Sequence, residues 1–131
     1  MSYHMTSPLS ELPIYRKAMD ILMVSRSIST YISQDLSYIM PDGREDEHIY
    51  FSGDIIQQSE SLVPEIEKAQ AERFSEKKYH HLDSIERLMY RLHLNCNRLE
   101  KCKSNGRDYL PILRKELHKF NRIKRNWMLT L

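Results

Sequence analysis

Residues 75–99 read SEKKYHHLDSIERLMYRLHLNCNRL, and the fold is decided in this stretch. Leu82, Ile85, Met89, Leu92, Cys96 and Leu99 recur at steps of 3, 4, 3, 4 and 3. An α-helix turns about 100° per residue, so these side chains share one narrow face, whereas a strand would alternate every second residue. Ser75 is expected as the N-cap, with Phe74 and Tyr79 closing a hydrophobic staple across it. Asn105-Gly106 supplies the expected stop, because glycine accepts the left-handed conformation beyond a helix end.

Working outward, the C-terminal segment repeats the pattern. Asp108 is the expected cap and Pro111 falls in the first turn. Leu110, Leu113, Leu117 and Phe120 step by 3, 4 and 3, and Trp127 and Leu131 continue the stripe. Lys124 interrupts it, so the last turns are expected to be partly exposed or packed on another chain. Toward the N-terminus, a first helix is expected from Ser10 as N-cap, with Leu9 and Ile14 as its staple and Pro13 in its first turn. Ile14, Ala18, Ile21 or Leu22, Ser25, Ile28 and Ile32 carry its face to about Ser33. Met40-Pro41-Asp42-Gly43-Arg44 is turn chemistry. Glu45, Asp46 and Glu47 then place negative charge at the positive end of a second helix. Its face is Ile49, Ile55 and Ile56, Ser59, Leu62 and Val63, and Ile66; Gly53 weakens it, and Pro64 is expected to kink or split it. The pattern predicts an all-α, up-down-up-down four-helix bundle over residues 10–131, with residues 1–9 as a flexible segment.

The bulk properties agree with that frame. At 131 residues and 40% apolar, the chain suits one domain with one core, and only 3 glycines argue against a turn-rich β fold. No apolar run approaches the roughly 20 residues that a membrane span needs, and no secretory leader stands at the N-terminus. A cytoplasmic location is the expectation. Cys96 and Cys102 form neither a disulfide framework nor a zinc pattern.

Little in the chain suggests catalysis. There is no phosphate-binding loop, nucleophile elbow, HExxH or pair of catalytic carboxylates, so no enzyme activity and no cofactor are expected. His80, His81 and Asp83 resemble a ligand cluster, but adjacent helical residues diverge by about 100° and cannot face one ion together. His93 and Cys96 have a ligand-like spacing, yet Cys96 belongs to the apolar seam, where a buried thiol is ordinary. No metal site is expected.

The cations are more informative. Residues 1–72 hold 5 Lys and Arg against 12 Asp and Glu, a balance of −7, while residues 73–131 hold 15 against 6, a balance of +9. With Leu82 at zero on a 100° wheel, Arg87, Arg91 and Arg98 fall near about 140°, 180° and 160°, opposite the seam. In the last helix, with Leu110 at zero, Lys115, Lys119 and Arg122 fall near about 140°, 180° and 120°, flanked by Arg114, His118 and Arg125. Few carboxylates share these faces, Asp83 being the main one. Arginine's planar fork suits bidentate phosphate contacts, so an anionic partner, either nucleic acid or acidic protein, is set against the plainer expectation of a solvated helical face. Tyr90, near the arginines, offers a ring on which a base can stack.

Leu12-Pro13-Ile14-Tyr15-Arg16-Lys17 opens the first helix, the third is heptad-rich and bears arginines, and the basic last helix ends in Arg125-Asn126-Trp127. On these residues the chain, over 12–131, resembles the four-helix-bundle family typified by the protein encoded in bacterial 23S ribosomal RNA intervening sequences. Within that family it is most similar to the accessory variability branch of diversity-generating retroelements. The resemblance implies a homopentamer of bundles and a non-enzymatic partner of a reverse transcriptase, binding that enzyme and RNA through basic surfaces. Arg87, Arg91 and Arg98 are the positions it carries over. Lys101, Lys115, Lys119, Arg122 and Arg125 complete the expected binding residues. The competing expectation is a purely structural ring, in which the acidic half of one copy meets the basic half of the next, with no role in nucleic-acid binding.

Overall fold

A computed structural model describes residues 8–131, and all regular structure among them is helical. Four long helices follow one another: α1 (Pro13–Leu36), α2 (Glu47–Ala71), α3 (Ser75–Leu99) and α4 (Leu110–Met128). Short 3-10 segments precede α1 at Leu9–Glu11 and α4 at Asn105–Tyr109. Cross-helix pairs give the directions. Ser25 and Ser29 of α1 meet Ser59 and Ser52 of α2. Gln58 and Glu65 of α2 meet Asn95 and His81 of α3. His93 and Glu86 of α3 meet His118 and Lys124 of α4. In each case one number rises as the other falls, so neighbours are antiparallel and the chain is an up-down-up-down four-helix bundle.

The apolar stripes meet in one core. Every member of the α3 seam is buried, as are Leu110, Leu113, Leu117, Phe120 and Trp127 of α4. Ile14, Ala18, Ile21, Leu22, Ser25, Ile28 and Ile32 of α1 are buried as the spacing predicts. In α2 the buried set is Ser52, Ile55, Ser59, Leu62, Ile66 and Ala69, with Ile49, Ile56 and Val63 at the margin. A hydroxyl has one hydrogen, and those of Ser59 and Ser52 are donated to the Ile55 and Ile49 carbonyls at 2.6 and 2.7 Å. Ser25 and Ser29 are therefore the donors across the α1–α2 contact. These small side chains let the two helices approach closely while leaving no buried polar side-chain atom unpartnered among the described residues.

The helix ends differ from expectation in instructive ways. Ser10 is not a cap; it sits in the 3-10 turn, and α1 begins at Pro13 after an extended Leu12. A residue before proline is pushed out of the helical region, which sets this boundary. The helix continues past Ser33 to Leu36, which is buried in the core. Residues 1–7 of the segment expected to be flexible lie outside the described residues, and Leu9 packs half-buried against the core. Asp46 caps α2, its carboxylate accepting from the His48 backbone N–H at 2.9 Å. The expected split at Pro64 does not occur, and α2 runs unbroken from Glu47 to Ala71. Pro64 and Glu60 are both on the solvent side, so the carbonyl that the proline cannot serve is left to water, while Leu62, Ile66 and Ala69 hold the inner face.

Ser75 is the first residue of α3 rather than its cap, and Phe74 and Tyr79 both stay exposed, so the expected staple buries neither. The Glu72 carboxylate instead accepts from the Arg73 and Phe74 backbone N–H groups at 3.1 Å. Gly106 does not end α3, which stops at Leu99, and it has no left-handed backbone. Its lack of a side chain serves a close approach: a Cβ there would meet the Ile28 carbonyl oxygen and Ile32 Cγ1 at 3.0 Å. Asp108 does not cap α4 either. Ser104 accepts from the Gly106 N–H at 3.0 Å and donates to Asp35 at 2.7 Å, tying this crossing to the end of α1.

Lys124 is the largest departure. It is buried rather than exposed, with its ammonium paired to Glu86, and Trp127 beyond it is buried with Nε1 donating to Gln70 at 2.8 Å. Burial, then the nearby Arg125 charge, push the Lys124 pKa down.

Two stability predictions follow from these contacts. Gly106→Ala should lower the unfolding free energy by about 1–3 kcal/mol by overpacking, while Gly53→Ala, with open space around its Cβ on an exposed helical surface, should raise it by about 0.5–1 kcal/mol. Lys124→Met should leave stability unchanged or raise it, because Glu86 is 58% exposed and rehydrates freely, whereas Glu86→Ala strands a buried ammonium and should lower it by about 1–3 kcal/mol. Urea unfolding followed by circular dichroism measures all four.

Candidate anion-binding faces

All eight cations expected to bind a partner, Arg87, Arg91, Arg98, Lys101, Lys115, Lys119, Arg122 and Arg125, are exposed. The fold sorts them into separate groups. Arg87 and Arg91 line a shallow groove between α2 and α3 with Ser61, Glu65, Ser84 and Leu88. Arg87 donates to Ser84 Oγ at 3.1 Å. Arg98 lies 5.1 Å over the Phe51 ring of α2 and donates to Asn95 Oδ1 at 3.2 Å. The stacked, hydrogen-bonded guanidinium is held in place before any ligand arrives. The three arginines thus lean toward α2.

The α4 cations form a second group. Lys115, Lys119 and Arg122 line one surface hollow with Pro111, Arg114 and His118. Glu116 is the carboxylate of this stretch, and it is turned toward α1, where it accepts from Lys17 Nζ at 2.6 Å. That hydrogen bond holds the Lys17 pKa above its ordinary value. Lys119 reaches Glu116 only at 3.9 Å. Among the described residues Lys115, Arg122 and Arg125 have no ion-pair partner. Lys101 stands apart, in the turn that leaves α3.

Between the two groups runs the α3–α4 seam, where the backbones approach least closely of the adjacent pairs. Polar side chains bridge it. Arg114 donates to Asn97 Oδ1 at 3.2 Å and pairs with Glu100, while Lys124 pairs with Glu86. His93 and His118 face each other with ring centroids 5.9 Å apart. Sequence spacing had associated His93 with Cys96 on its own helix; its neighbour is instead across the seam. Burial, then the charges of His118 and Arg114, lower the His93 pKa. Cys96 is buried in the core, and burial pushes its thiol up to about 11, so it is a packing residue rather than a nucleophile. His81 Nδ1 lies 2.9 Å from Glu65, and its ring meets that of His80 edge-on. Among the described residues no three His, Cys, Asp or Glu side chains are gathered as metal ligands. No helix among them is long and apolar enough to cross a membrane.

The His93 environment makes the stability pH-dependent. Its folded pKa lies below the ordinary 6.5, so the unfolded chain binds the proton more readily. The contribution is fully present above about pH 6.5 and declines as pH falls through that value toward the folded pKa. Unfolding midpoints at pH 7.5 and 5.5 should therefore differ less for His93→Gln than for the parent chain.

Compared with known proteins, the chain matches no family model, no curated protein and no solved structure.

Proposed function

We propose that this bundle is a non-enzymatic, oligomeric accessory protein that holds a reverse transcriptase and RNA through the basic faces of α3 and α4. The observation that carries the anionic-partner part is the α4 hollow. Lys115, Lys119 and Arg122 project together into solvent, and the carboxylate of their stretch is occupied by Lys17 on the far flank. A solvated helical face usually mixes both signs; this one does not. Arg87, Arg91 and the pre-positioned Arg98 add a second basic line toward α2. The reverse transcriptase and the accessory role come from the sequence resemblance alone.

A second reading has its own support. The exposed carboxylates Asp20, Asp54, Glu60 and Glu67 all belong to α1 and α2, with Lys17 and Arg26 already beside Asp20 and Glu60, so the acidic half of one copy is offered to the basic half of another. In that reading the bundle closes a ring and binds no nucleic acid.

Gel-shift measurements over a salt series separate the two. RNA affinity should fall steeply with salt, since each neutralised phosphate releases counterions. The triple change Lys115→Glu, Lys119→Glu and Arg122→Glu should weaken binding by more than about tenfold and flatten the salt slope, with helicity retained. Arg87→Glu, Arg91→Glu and Arg98→Glu should act in the same direction. Unchanged RNA binding in both triple variants, together with an oligomer that dissociates in high salt by light scattering, sinks the first reading in favour of the second.

A further inference from the structure

Two exposed aromatic side chains project from α3, Tyr90 level with the α4 cations and Tyr79 about three turns nearer the end of α3 that lies past Met128 of α4. Tyr79 and Tyr90 are 65% and 68% exposed. Among the described residues neither ring stacks on another aromatic ring. Eleven residues separate them, so they project within about 20° of each other and roughly 16 Å apart along α3. On the same wheel Glu86, His93 and Asn97 lie within about 60° of that line. Those three residues meet Lys124, His118 and Arg114 of α4, so the tyrosine line lies on the α4 side of α3. The same pairs set the register. Tyr90, between Glu86 and His93, is level with the stretch of α4 between Lys124 and His118, where Arg122 is exposed.

We infer that this α3–α4 flank binds single-stranded nucleic acid, with bases stacking on Tyr90 and Tyr79 while phosphates follow Arg122, Arg125 and Lys115 on α4. The inference rests on the anionic-partner reading above and narrows it. A cation row alone accepts any phosphate backbone. An exposed ring beside it selects strands whose base faces are free, because a duplex keeps its bases stacked on one another. Of the carboxylates on this flank, Glu86 and Glu100 are neutralised by Lys124 and Arg114, and the exposed Glu76 stands at the Tyr79 end, away from the α4 cations. Asp83 lies between the tyrosines on the α3 rail, which keeps phosphates on the α4 side and leaves the α3 side to bases.

The test uses the full chain, a labelled single-stranded RNA without self-pairing, and a blunt duplex with the same number of phosphates, read by fluorescence anisotropy. The single strand should bind more tightly. Tyr90→Ala and Tyr79→Ala should each weaken it by about 5- to 100-fold, leaving duplex affinity unchanged, and Tyr90→Phe should bind as the parent chain does. Both positions are on the surface, and circular dichroism reports whether each variant is folded. Equal affinity for the two forms, or alanine variants that bind normally, overturns this inference and leaves the anionic-partner reading standing. Loss in Tyr90→Phe equal to that in Tyr90→Ala also overturns it, since the hydroxyl rather than the ring would then be responsible. Absence of binding to either form overturns both.

Discussion

The close seating of α1 is the constraint on which the rest of the bundle depends. Ala18, Ser25 and Gly106 are small at the points where α1 meets its neighbours, and each is buried. Ser25 reaches Ser59 of α2 at 2.9 Å on one flank, and the Gly106 backbone presses on the Ile28 carbonyl on the other. Dispersion falls steeply with separation, so such contacts are strong only where no side chain intervenes. With α1 held between α2 and the crossing that leads into α4, the looser contact is left to α3 and α4. At its surface that seam is bridged by ion pairs and facing imidazoles, over the apolar side chains that α3 and α4 both place in the core.

The looseness of the seam and its polarity have the same origin. Lys124 occupies a position where the apolar stripe of α4 calls for a hydrophobe, and its long stem lets it fill that space while its ammonium reaches Glu86. His93 is half-buried against His118 and Arg114 of α4. Such groups stabilise less than aliphatic packing would, but they leave polar and charged atoms near the surface of the α3–α4 flank. The basic face of α4 and the neighbouring Tyr90 lie there.

Charge is also organised by the order of the helices. The first half of the chain carries −7 and the second +9. Because α1 and α2 are neighbours on one flank and α3 and α4 on the other, an imbalance along the chain becomes an imbalance across the bundle. Contacts such as Lys17 with Glu116 and His81 with Glu65 stitch the two sides where they meet. The remaining cations of α4 face water, in a position to attract an anion at long range.

The apolar period of α3 was enough to place its core face, and the stripes of α1 and α4 were nearly as clear, because a 3.6-residue repeat has one geometric solution whatever packs against it. The wheel also placed the arginines of α3 and the lysines of α4 outside, since whatever opposes a buried seam must meet solvent. Tertiary structure alone decided the rest. Helix ends depended on competition among several local donors and acceptors, so Ser10, Ser75 and Asp108 lost the roles that their types suggest. Pro64 was tolerated because its side of α2 faces water, and Gly106 was needed for its contact with α1 rather than for a turn. Above all, a helical wheel has no partner: only packing shows that Arg87, Arg91 and Arg98 lean toward α2 while Lys115, Lys119 and Arg122 share a hollow on α4, so that the cations form two faces and Tyr90 stands beside the second.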